Sequence, residues 1–263
     1  MNKKIAIVTG GSSGIGLHTA LKLSNSGYKV YEFSRRENSK KEFNHISVDV
    51  TDERKVSETI KKIVDDEGYI DILVNCAGFG ISGAVEFTKH EDMQRQMEVN
   101  FFGMVNCNKA VLPYMRKRKS GTIVNISSVA AVMPIPFQTY YSASKAAINS
   151  YTCALRNEVK PYNVKVCAIL PGDIATGFTK AREKSYDGDK EYDLRISTSV
   201  KKMEHDEENG ISAQKAGDYV AKVAMKKNPK PLTILGTQYK ILYTISKLLP
   251  MSFLNFVLGK MYA

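Results

Sequence analysis

Several absences narrow the chain first. Its four cysteines (Cys76, Cys107, Cys153, Cys167) lie apart, and no Cys-x-x-Cys pair occurs. Such spacing suggests neither a metal site nor a disulfide framework, and it reads as buried free thiols in a reducing compartment. No stretch of about 18 uncharged apolar residues is present, so no clear membrane span is expected. Met-Asn-Lys-Lys leads straight into a strand-like run, which leaves no place for a cleavable signal peptide; a cytoplasmic protein is expected. Internal repeats are missing too. The net charge is +11, but the basic residues are scattered and no recognisable nucleic-acid-binding motif accompanies them. Nucleic acid is therefore not the expected partner. An anionic cofactor, an acidic substrate or an anionic membrane surface suits the charge.

What is present is an alternation of short apolar runs and amphipathic segments. The 263 residues, 43% hydrophobic and 25% charged, suit one large α/β domain over 1–263. Strands are expected at Lys4–Thr9, Lys29–Phe33, Ile46–Val50, Ile70–Val74, Gly121–Ser128, Val164–Leu170 and Leu232–Leu235. Helices are expected between them. One over Glu91–Arg118 should break near Pro113. The pattern predicts a doubly wound parallel sheet of about seven strands covered on both faces, a Rossmann-type fold. A charged stretch over about 178–210 reads as a mobile insertion with short helices, a candidate substrate lid. An apolar extension over about 237–263, interrupted by Pro250, is expected to cover a sheet edge, line a substrate mouth or lie on a membrane.

The first strand runs into Thr9-Gly-Gly-Ser-Ser-Gly-Ile-Gly16 and then a helical pattern. Glycines at such a turn let the backbone approach a pyrophosphate, and the helix N-terminus adds donors and positive potential. The spacing differs from Gly-x-Gly-x-x-Gly. The second strand ends in Ser34-Arg35-Arg36, with no acidic residue to bind a ribose 2′-hydroxyl. Basic residues there accommodate a 2′-phosphate, so NADP(H) is expected.

Tyr141 and Lys145 stand four apart in a segment that reads as helix, so both side chains point to one side. An ammonium beside a phenol favours phenolate. Activity near neutrality would need a shift of about three units, roughly 4 kcal/mol. Tyr140, one residue earlier, has Ser144 rather than a lysine four residues on.

Taken together these motifs resemble the short-chain dehydrogenase/reductase family over Lys4–Phe178. The resemblance rests on Thr9-Gly-x-x-x-Gly-x-Gly16, Asp49-Val50, Asn75-x-Ala-Gly78, Asn100, Ser128, Tyr141-x-x-x-Lys145 and Pro171-Gly-x-x-x-Thr176, in the family's order. It implies a catalytic set of Asn100, Ser128, Tyr141 and Lys145. Tyr141 would exchange the proton, Ser128 would hold the carbonyl oxygen, and Asn100 would steady a water chain from Lys145. It also implies a cofactor-binding set. Gly10, Ser12, Ser13, Gly14, Ile15 and Gly16 would hold the pyrophosphate; Ser34, Arg35, Arg36, Asp49 and Val50 the adenosine end. Asn75, Ala77 and Gly78 would brace the sheet and meet adenosine. Pro171, Gly172, Ile174 and Thr176, with Tyr141 and Lys145, would hold the nicotinamide half. Ala77-Gly-Phe-Gly80 and Val99-Asn-Phe-Phe-Gly103 look most like the hydroxysteroid and retinol dehydrogenase branch, which implies a small hydrophobic ketone or alcohol substrate, such as a steroid. Acyl-carrier-protein ketoreductases are the second reading, and a catalytically silent NADP-binding sensor the third. The family is often dimeric or tetrameric, so a homo-oligomer is expected.

Overall fold

Runs that are apolar at every position require cover on both sides, because strand side chains alternate between two faces. The computed structural model, which describes residues 3–36 and 41–262, shows how that cover is supplied. Seven strands make one parallel sheet: β1 (Ile5–Thr9), β2 (Lys29–Ser34), β3 (Asn44–Ser47), β4 (Ile72–Asn75), β5 (Gly121–Ile126), β6 (Val164–Pro171) and β7 (Leu232–Leu235), in the order β7-β6-β5-β4-β1-β2-β3. In β1, Ala6 and Val8 face a layer formed by α1 (Gly14–Asn25), whereas Ile5 and Ile7 face the opposite layer. That opposite layer contains α2 (Glu53–Glu67), whose Val56, Ile60 and Ile63 are buried. The Asp52 carboxylate caps α2 by accepting from the Lys55 amide at 2.8 Å.

Between β4 and β5 the chain forms α3 (His90–Met97) and α4 (Gly103–Arg118), joined by a π-helical turn over Glu98–Phe102. The expected break at Pro113 is therefore displaced. Proline removes one helical donor, but Val111 and Met115 are buried on either side of it and the helix continues. The irregularity sits instead at the turn that holds Asn100. The third strand is also shifted from the expected Ile46–Val50, since pairing with β2 ends at Ser47 opposite Ser34.

After β5, α5 (Thr139–Val159) carries Tyr141 and Lys145. The 178–210 segment holds more order than its charge suggests. Its helix α6 (Arg195–Glu208) buries Ile196, Ser199, Val200 and Met203. Then α7 (Ala213–Ala224) packs against the same layer as α1, and the chain ends in α8 (Thr237–Ser246) and α9 (Met251–Tyr262), separated at Pro250. The strand order reverses at β1, whose neighbours are β2 and β4. A crevice forms at such a switch point, outside the strands' carboxyl ends.

A buried amide network ties this region together. The Asn75 Nδ2 donates to Asn108 Oδ1 at 2.8 Å and to Asn125 Oδ1 at 2.9 Å. Asn125 Nδ2 in turn donates to Thr152 Oγ1 at 2.9 Å, so β4, β5, α4 and α5 share one polar clamp. Asn125→Ala is expected to lower the unfolding free energy by about 1–3 kcal/mol, because it strands buried polar partners. Urea unfolding of the variant measures this; an unchanged midpoint would show that the clamp contributes nothing.

Candidate functional site

A cavity of about 930 Å³ runs along the carboxyl ends of the strands. It begins beside Phe33, Ser34, Arg35 and Arg36, passes the loop after β1, and ends around Ser128, Tyr141, Asp173 and Glu207. Every residue of the expected cofactor set lines it except Asn75, whose side chain is committed to the amide clamp. Asn100 is also off the wall.

The loop after β1 needs its glycines for close approach. Gly10 has φ +66°, and a Cβ there would come within 2.8 Å of the Ala77 backbone. A Cβ on Gly16 would lie 2.3 Å from the Gly10 carbonyl oxygen. This tight turn delivers the chain to the start of α1. Ser13 is the N-cap residue of α1, but its side chain makes no capping hydrogen bond, and no acidic residue occupies the first turn. A helix N-terminus under a glycine cradle suits a diphosphate. Opposite it, Thr9 Oγ1 accepts from the amides of Cys76 and Ala77, both at 3.1 Å, which fixes β4's exit against β1.

At the adenosine end Ser34 Oγ donates to the Arg36 carbonyl at 2.9 Å and shapes the turn. Arg35 is 76% exposed, with Nη1 3.9 Å from Asp49 Oδ2. The other Asp49 oxygen accepts from the Thr51 amide and hydroxyl at 3.0 and 2.8 Å. Arg35 is thus only loosely held. Residues 37–40 lie outside the described part.

The opposite end is built by α5 and β5. Lys145 is only 6% exposed, and its Nζ donates to the Ile126 carbonyl at 2.9 Å. Its ammonium lies 5.6 Å from the centre of the Tyr141 ring. Asn100 accepts from the Phe79 amide at 3.0 Å, and donates to the Phe79 carbonyl at 3.0 Å and to Ser144 Oγ at 3.1 Å. Ser144 Oγ donates to the Tyr141 carbonyl at 2.7 Å. Asn100 therefore pins the turn of α5 that presents Tyr141 to the loop after β4.

Burial opposes the lowering expected at Tyr141. It pushes the Tyr141 phenol up to about 12, while a hydrogen bond with Ser128 and the charge of Arg182 act in the opposite direction. Burial also pushes Lys145 down to about 8. The expectation that Lys145 lowers the phenol is corrected: the i, i+4 spacing brings the ammonium to the Ile126 carbonyl, and loss of solvent outweighs it at the phenol. In this environment Tyr141 holds its proton at neutral pH.

Motif reading missed a polar group beside Tyr141. Arg182 is buried and pairs with Glu207, and Thr179 Oγ1 donates to Glu207 Oε2 at 2.5 Å. With its amide oxygen turned toward Arg182, Gln138 accepts from Nε at 2.9 Å and Nη2 at 3.2 Å. The Tyr239 hydroxyl donates to Asp173. Phe178 packs on Tyr141 at 5.8 Å between ring centres. These residues come from four segments with no shared motif. The charge of Arg182 and Glu207 looked like that of a solvated insertion.

The family model described as short chain dehydrogenase matches residues 4–187. A 3-ketodihydrosphingosine reductase of Bacteroides thetaiotaomicron is 42% identical, covering 100% of this chain and 99% of its own. A 3-oxoacyl-[acyl-carrier-protein] reductase of Thermotoga maritima is 35% identical over 68% of this chain and 80% of its own. Among solved structures, a short-chain dehydrogenase from Streptomyces avermitilis has a TM-score of 0.84 at 27% identity, covering 94% of this chain and 92% of that one. The NADP-bound structure of ElxO has a TM-score of 0.76 at 26% identity, covering 91% and 99%.

Lys145 is expected to titrate with a midpoint near 8: charged below it and neutral above. NMR of protein labelled at the lysine ε-carbons, with Lys145→Met to assign the signal, measures this. A midpoint at the ordinary lysine value, about 10.4, would show that burial does not govern the site.

Proposed function

The chain belongs to the short-chain dehydrogenase/reductase family of oxidoreductases, and from that premise we propose that it reduces the ketone of 3-ketodihydrosphingosine, or a close long-chain amino ketone, with NADPH. The observation that carries this reading is the full-length similarity to a reductase named for that substrate.

The cavity chemistry supports it. In 3-ketodihydrosphingosine an amine sits on the carbon next to the ketone, and a long alkyl chain follows. Asp173 and Glu207 line the cavity at the Tyr141 end, and both charges act on the phenol. Glu207 is engaged by Arg182 and Thr179, so Asp173 is the carboxylate placed to receive an ammonium beside the reacting carbonyl. A steroid ketone brings no such cation, which favours the amino ketone among hydrophobic substrates. Phe79, Val99, Ile135 and Phe178 supply apolar wall for the chain. The acyl-carrier reading has weaker support, since that relative matches a smaller part of the chain.

For the cofactor, Gly10–Gly16 and the start of α1 cradle the diphosphate, and Ala77, Gly78, Pro171, Gly172, Ile174 and Thr176 flank the remainder. Arg35 and Arg36 meet the 2′-phosphate, where an acidic residue would repel it. Bound there, the nicotinamide supplies a hydride to the carbonyl carbon. Tyr141 gives its proton to the carbonyl oxygen, and a phenol held well above neutrality is in the right form for that role. Ser128 donates a hydrogen bond to the same oxygen. Lys145 stands one turn along α5 from the phenol, its ammonium held by the Ile126 carbonyl, and Asn100 positions the turn of α5 that carries both.

The test is turnover of the amino ketone, followed by NADPH absorbance. Tyr141→Phe is expected to lose roughly 10²–10⁴ in kcat, with Tyr140→Phe within about tenfold of the parent chain. Asp173→Asn is expected to raise KM for 3-ketodihydrosphingosine but not for the same ketone without its amine. Turnover of the amine-free ketone alone would overturn the substrate reading.

In the same assay Arg35→Asp is expected to move cofactor preference toward NAD by more than about tenfold, at least 1.4 kcal/mol. A parent chain that already prefers NAD would overturn the NADP assignment.

A further inference from the structure

The last two helices leave an apolar surface that the rest of the described chain does not cover. On α9, Leu254 and Leu258 are buried against Val129, Leu170 and Ile234 and fasten that helix to the body. The opposite side stays in solvent. Ile241 and Ile245 fall at i and i+4 and share one face of α8, and Leu248, in the turn just after it, is 83% exposed. Met251, Phe253 and Phe256 continue the surface onto α9, all at least half exposed. Contiguous apolar surface of this kind marks a binding site.

Charge selects the partner. Residues 219–263 contain seven lysines and no aspartate or glutamate. Lys240, Lys247 and Lys260 are exposed among the apolar side chains, and Lys247 Nζ lies 4.3 Å over the Tyr243 ring. A second copy would set this patch against itself, because a two-fold interface pairs each surface with its own image. Like charges would then meet. An anionic bilayer offers the complement: acyl chains for Leu248, Phe253 and Phe256, and headgroup charge for lysines whose stems lie along the interface. Each helix is short, and none among the described residues is long and apolar enough to cross a membrane.

We propose that the α8–α9 segment is a docking surface that seats the protein on an anionic lipid bilayer, through exposed apolar side chains flanked by lysines. The position fits a role in substrate access. Tyr239 at the start of α8 packs on Gly172 and bonds to Asp173, both on the cavity wall, and Tyr262 at the end of α9 donates to Asp206 at 3.3 Å, next to Glu207. With these two helices resting on lipid, the Tyr141 end of the cavity is held close to the bilayer.

The chain has no tryptophan, so Leu248→Trp places a single reporter at the most exposed apolar position. With equimolar phosphatidylglycerol and phosphatidylcholine vesicles its emission should shift to the blue and be quenched by brominated acyl chains. Sedimentation of the unaltered protein with these vesicles should exceed that with pure phosphatidylcholine by about tenfold or more, and fall as salt rises. Leu248→Glu with Phe256→Glu should abolish it, and Lys240→Gln with Lys247→Gln should weaken it. Both double variants should keep the parent circular dichroism and turnover of a short water-soluble ketone. No ketone enters the binding measurement, so failure of the substrate reading leaves this test intact. A reporter that stays in water with vesicles would overturn the proposal, as would equal sedimentation with neutral and anionic lipid. So would a stable dimer, seen by light scattering, that Leu248→Glu with Phe256→Glu breaks while vesicle binding is absent.

Discussion

Seven strands running the same way leave only one rim of the sheet for polar chemistry. Both faces must be dry over the middle of the sheet, because β1, β4 and β6 are apolar at nearly every position. Polar groups therefore collect at the carboxyl ends, where strands stop and helices begin. The interaction that most depends on this rim is the bond from Lys145 Nζ to the Ile126 carbonyl. It brings a cation out of water at the end of β5 and fixes its reach from α5. Tyr141 rides one turn earlier on the same helix. The amide clamp through Asn75, Asn108, Asn125 and Thr152 holds that helix against the sheet.

Close approach explains most of what was legible in the sequence. Gly10 and Gly16 have no room for a Cβ, so residue type alone betrays the turn. Tyr141 and Lys145 are neighbours by helical spacing, and Ser34-Arg35-Arg36 follows directly from a strand end. Such features live within a few residues of one another. The group around Arg182 does not. Gln138 at the start of α5, Arg182, and Glu207 on α6 lie far apart in the chain and meet only in the fold, and nothing local in their sequence marks that meeting.

Two readings went astray for physical reasons. Pro113 does not end its helix, since buried neighbours on both sides hold the helix together; the π turn around Asn100 carries the irregularity. The titration of Tyr141 was read from charge alone, whereas burial acts on the phenol and, in the opposite direction, on Lys145. One consequence is chemical. A phenol that keeps its proton at neutral pH is in the form that can donate it.

The central claim is that Tyr141 protonates a ketone while hydride reaches its carbon in this cavity. The most direct measurement is a single turnover of 3-ketodihydrosphingosine with NADPH carrying deuterium at the transferred position of the nicotinamide, analysed by mass spectrometry. The expected product is the alcohol with one deuterium on the former carbonyl carbon, formed by the parent chain and almost absent with Tyr141→Phe. Unlabelled alcohol, or labelled alcohol formed equally fast without the Tyr141 hydroxyl, would contradict it.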